Sequence, residues 1–97
     1  MNIEAFVHKI IKADGTTVDC PPKGKHYTLD ELRSAIGGGY IEIVHPRQDP
    51  RYLMVIDEEG KLYKGFPTNV RATELAGAFT VGRIVGDVLV CREGDID

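Results

Sequence analysis

The sequence predicts an α+β fold: a single small domain with a mainly antiparallel sheet of five or six short strands and two short helices. Three observations predict it. Short apolar runs, alternating or continuous, recur along the chain. Two segments carry apolar residues at helical spacing behind a capping residue. Strands in the middle of the chain follow one another too closely for parallel crossovers, which need a dozen or more connecting residues. At 97 residues the chain can bury one core, but not a core plus a deep enclosed cavity, so ligand sites are expected on a surface or between subunits. Residues 1–92 read as the domain and residues 93–97 as an acidic, mobile tail.

Taken in order, Ile3, Ala5, Val7 and Ile11 alternate with polar neighbours and predict a first strand. Asp14-Gly15 is a turn signal, and Thr16–Asp19 predicts the returning strand. Pro21-Pro22 and Gly24 stop the ladder, since proline has no amide proton to give. Thr28 and Glu31 form a capping box, and Leu29, Leu32 and Ile36 make the apolar stripe of a first helix. Gly37-Gly38-Gly39 ends it. Tyr40–His45 predicts a strand, and Tyr52–Asp57, with five apolar residues in six, predicts a central strand covered on both faces. Glu58-Glu59-Gly60 predicts a tight turn into a hairpin partner at Lys61–Tyr63. Thr68 or Asn69 caps a second helix whose core face is Ala72, Leu75, Ala76 and Phe79, stopping near Ala76. Ile84–Arg92 predicts the last buried strand.

Composition removes several classes of function. At 42% hydrophobic and 28% charged, the chain is globular rather than disordered. No apolar run approaches the ~20 residues of a membrane span, and Glu4, His8 and Lys9 interrupt what a signal peptide would keep apolar. Two cysteines without CxxC spacing fit free thiols in a reducing cytoplasm. With 12 basic and 15 acidic residues, and the acidic excess late in the chain, there is no basic surplus to displace counterions from nucleic acid.

Catalytic and metal signals are weak. Asp57-Glu58-Glu59 is the densest acid cluster, but it falls at a turn, where a solvated role is expected. Cys20 and His26 lack the fixed third group that nucleophilic catalysis requires. His8, His26 and His45 are scattered without chelating spacing, so neither a metal nor any other cofactor is expected. The three glycines follow a helix rather than a strand, the reverse of a phosphate-binding loop.

The more informative group is basic. Lys61, Lys64, Asn69 and Arg71 surround the start of the second helix, and with Arg47 and Arg51 in the preceding hairpin loop five cations could face one anionic group. Tyr40, Tyr52 and Tyr63 are available to stack on a base. The alternative is ordinary surface charge balanced by Glu42, Asp49, Asp57, Glu58 and Glu59.

Several strings carry a resemblance: Tyr27–Leu32, Gly38–Val44, Val55–Leu62, Pro67–Thr73 and Ile84–Val90. From Tyr27 to Cys91 the chain resembles a domain-of-unknown-function family of small proteins encoded by phages, plasmids and conjugative elements. The resemblance implies a protein made inside a bacterial cell and carries no activity to transfer residue by residue. The expected function is non-catalytic and counter-defensive: capture, in a homo-oligomer, of an anionic small molecule such as a cyclic or modified nucleotide. The site expected for it is Tyr40, Arg47, Arg51, Tyr52, Lys61, Lys64, Asn69 and Arg71. The alternative is a protein–protein inhibitor or adaptor that occludes a host defence enzyme by a strand edge or apolar patch. A small enzyme is the third class.

Overall fold

A computed structural model describes residues 2–47, 49–60, 64–77 and 83–96. Among these residues five strands, β1 (Lys9–Ile11), β2 (Thr17–Asp19), β3 (Ile41–Val44), β4 (Tyr52–Asp57) and β5 (Val88–Arg92), form one sheet in the order β2-β1-β5-β4-β3. Every pairing is antiparallel. Two seven-residue helices, α1 (Leu29–Ala35) and α2 (Val70–Ala76), complete the α+β fold.

Alternation along the inner strands assigns the two faces of the sheet. Tyr52 and Met54 of β4 and Val88 and Val90 of β5 pack with Ala72, Leu75 and Ala76 of α2. Leu53 and Val55, with Leu89 and Cys91, pack instead with Leu32 of α1 and with Ile36 just after it. The helices therefore lie on opposite faces, and β4 and β5 are continuous apolar runs because both of their faces are covered. The middle strand of the five is β5, with β4 beside it.

The capping box forms as its residues require: Glu31 N donates to Thr28 Oγ1 and Thr28 N donates to Glu31 Oε1. Gly37, at φ 94°, turns the chain out of α1. Leu29 sits at the first turn and is 57% exposed, so the buried stripe is Leu32 and Ile36.

Asn69, expected as a ligand-binding residue, is instead a fully buried structural residue. Its Oδ1 caps α2 by accepting from Ala72 N, and its Nδ2 donates to the carbonyls of Ile11 and Gly86, both at 2.8 Å. One side chain thus joins α2, β1 and the approach to β5, and no polar atom is left for a ligand. Thr68, the other candidate cap, forms a bridge with Val85.

Two further boundaries differ from the sequence reading. The chain at Ile3–Phe6 is a 3-10 turn, because Asn2 Oδ1 caps Glu4 N, and His8 at φ 61° redirects the backbone into β1. The last strand starts at Val88, since the carbonyl of Ile84 accepts from Asn69 N and Ile84 N donates to Thr73 Oγ1. The hairpin partner expected at Lys61–Tyr63 lies outside the described residues.

The segment read as an acidic tail is a 3-10 turn, Glu93–Asp95, bonded to the body of the domain. Asp95 Oδ2 accepts from Arg92 N at 2.8 Å and meets His8 Nε2 at 2.9 Å, while the carbonyl of Asp95 accepts from Tyr27 N. Ile96 then pairs with Tyr27 in a parallel bridge. Burial pushes the Asp95 carboxyl up, but the Arg92 amide and the His8 ring outweigh it and hold the group below its ordinary value.

Replacing Asn69 by Ala leaves two buried carbonyls and one amide without their partner. The expected loss is about 3 kcal/mol in urea unfolding. Asn69→Asp is expected to lose more, since it turns an oxygen toward those carbonyls. For Asp95, a lowered folded pKa contributes stability that is present above the unfolded value and lost as pH falls through the folded one. Asp95→Asn is therefore expected to be less stable than the parent at neutral pH, with the gap closing below about pH 4, as read by urea midpoints across pH.

Candidate functional site

The two helices leave part of the sheet uncovered on the α1 side. α1 packs over β4 and β5, while β1 and β2 continue the sheet beyond it. Ile10 of β1 is half-buried there, and Val18, its register partner on β2, is 45% exposed. The loop from Cys20 to His26 faces α1 across this strip, and an open groove of about 730 Å³ lies between them.

The floor and near wall of the groove are apolar: Ile10, Cys20, Pro21 and Ala35. Lys23, His26, Thr28, Asp30, Glu31 and Ser34 supply its polar groups. Glu31 fastens the two walls together. One of its oxygens accepts from Lys23 N at 3.0 Å and the other from Thr28 N at 3.1 Å. These two amides hold the Glu31 carboxyl below its ordinary value.

The floor is anchored from beneath by Tyr27, which is buried and donates its phenol hydrogen to the Cys20 carbonyl at 2.6 Å. Burial pushes that phenol pKa up, so it remains a donor. Burial, with the charge of Glu31, also pushes the Cys20 thiol up, and burial pushes Cys91 up to about 12. His26 Nδ1 meets the carbonyl of Gly94 at 3.0 Å, tying the loop to the C-terminal turn. Among the described residues no group of three or more His, Cys, Asp or Glu side chains could hold a metal ion, and no helix is long and apolar enough to cross a membrane.

The basic residues expected to converge are held apart. Arg51, just before β4, is spent on Asp49 through two parallel contacts of 2.8 and 2.9 Å. Lys64 pairs with Asp57 at the other end of β4, about 20 Å of strand away. Arg71 lies on α2, with its guanidinium 5.6 Å from the Phe6 ring. Arg47 is exposed beyond β3, where its backbone amide donates to the Ala76 carbonyl. Tyr52 is buried in the α2-side core, so its ring is not available to stack on a base. Tyr40 is exposed beside Arg33, whose guanidinium is 5.8 Å from its ring. Lys61 lies outside the described residues.

The acid cluster also differs from the solvated turn expected of it. Asp57 is buried, and its carboxylate is shared between Lys64 and the amide of Glu59. Gly39 permits this pair, because a Cβ there would lie 2.8 Å from Asp57 Oδ2.

Sequence reasoning did not assemble the groove. The capping box was visible, but the bond from Lys23 to Glu31 spans eight residues and has no local signature. In sequence Cys20 and His26 read as an incomplete catalytic pair, whereas the fold places both in the lining of the groove.

Residues 8–97 match the model of the family described as Domain of unknown function (DUF3846). The chain belongs to that family. No curated protein and no solved structure matches it.

Both thiols are expected to be poor nucleophiles. At mildly alkaline pH, Cys91 should stay silent toward a disulfide reagent until the protein unfolds, and Cys20 should react more slowly than free cysteine. Absorbance on reagent addition, with and without denaturant, checks this.

Proposed function

We propose that this DUF3846 protein acts by stoichiometric binding rather than turnover, holding a small molecule in the groove between the Cys20–His26 loop and α1. One observation carries the reading: an open groove of about 730 Å³ with an apolar floor and a few polar groups on its walls. Small-molecule sites have that size and that composition. The raised thiol of Cys20 supports binding over nucleophilic chemistry.

The ligand on this reading has an apolar body on Ile10, Cys20 and Pro21 and a polar edge toward Lys23 and His26. An anionic ligand, such as a nucleotide-type signal, would meet Lys23 here rather than the separated arginines. The resemblance to proteins of phages and mobile elements supports a counter-defence setting for this capture.

A second reading rests on β3. Among the described residues β3 pairs with β4 alone, so its outer edge is free, and Tyr40 and Ile43 are exposed along it. An extended segment of a host protein would add there as a further strand.

Native mass spectrometry of the protein purified from bacterial cells that express a defence system, during phage infection, separates the two readings. Capture predicts added mass of small-molecule size that is lost in Ser34→Trp, which fills the groove from an exposed position. A bare protein, or one carrying a host polypeptide that persists in Ser34→Trp, contradicts capture and favours the strand edge.

A further inference from the structure

The chemistry of the groove wall narrows what it accepts. Gly94 O is a carbonyl and can only accept, so the His26 nitrogen 3.0 Å from it, Nδ1, must carry the hydrogen. In the neutral ring the other nitrogen, Nε2, is then bare. It makes no hydrogen bond among the described residues, and His26 is a half-buried residue of the groove wall. We propose that His26 is the specificity-determining residue of the groove, its Nε2 accepting from an N–H or O–H donor on a flat apolar ligand. This inference rests on the groove being the binding site.

The neighbouring groups leave that role to His26. Each oxygen of Glu31 already accepts from an amide, that of Lys23 or that of Thr28, and Thr28 Oγ1, also in the lining, accepts from Glu31 N. The Cys20 carbonyl is taken by Tyr27 Oη, and its thiol remains protonated. The Lys23 ammonium can only donate, and Ser34 is exposed on the α1 wall. Asp30 is an acceptor, but it is exposed, where water competes for it. Beyond the groove, Lys25 precedes His26 in the loop, and Glu93 and Asp95 flank Gly94 in the turn that holds it; Asp95 is occupied by His8 and the Arg92 amide. The ligand class is thus a compact heteroaromatic or amide-bearing molecule that presents a hydrogen-bond donor beside its apolar surface.

Two measurements test the assignment. A long-range ¹H–¹⁵N correlation spectrum of the imidazole rings reads the tautomer without any ligand, and is expected to show His26 as Nδ1–H, the minor form of free histidine. Finding it as Nε2–H overturns the proposal. Indole and 1-methylindole, which share a flat body and differ in one donor, are then titrated against the ¹⁵N-labelled protein. Indole is expected to move the amides of Cys20, Ser34 and Ala35 and to bind about 3- to 10-fold more tightly than 1-methylindole. That preference should vanish in His26→Phe. Equal binding of the two probes in the groove of the parent protein overturns the role of His26 and leaves the groove standing. Shifts confined to other parts of the protein, or none, overturn both.

Discussion

A helix of seven residues is about 10 Å long and about 10 Å across, and on the α1 side of this protein it is set against a sheet of five strands. Four inter-strand spacings span about 19 Å, so a single such helix covers only part of the face. α1 takes the part where burial is greatest, over Leu53, Val55, Leu89 and Cys91. What remains over Ile10 and Val18 has to be covered by loop or left to solvent, and the chain does some of each. The groove follows from this mismatch between helix length and sheet breadth.

The loop that borders the groove has little regular structure to hold it, and its shape is set by a few side-chain bonds. Glu31 clamps Lys23, Tyr27 clamps Cys20, and the C-terminal turn receives His26 and the amide of Tyr27. These bonds join the two walls to the far end of the chain. A site built this way is preformed, which lowers the ordering cost of binding. On the opposite face Asn69 plays the corresponding part, fixing α2 against β1 and the approach to β5.

Much of the fold was legible because it is local. The capping box of α1, the glycine stop and the apolar run of β4 each declare themselves within a few residues. Ile3–Phe6 misled because an alternating pattern also suits a 3-10 turn, and only the Asn2 cap and the backbone of His8 decide between them. The basic residues misled for a different reason. Sequence spacing placed Lys64 and Arg71 near one helix start, with Arg51 facing them from the preceding loop, but β4 separates Arg51 from Lys64 and the sheet puts Arg71 on the α2 side. The groove was illegible because its residues meet through contacts spanning up to 68 positions, such as that from His26 to Gly94.

The central claim is that the uncovered strip beside α1, and not the scattered cations or the β3 edge, is where this protein takes its ligand. A crystallographic fragment screen tests it most directly, since it reports where small molecules settle without assuming which one matters. The account predicts fragments resting on Ile10, Cys20 and Pro21, with a donor directed at His26 Nε2. Fragments that gather instead around Arg47, Arg51 or Arg71, or along the outer edge of β3, with nothing in the groove, would contradict it.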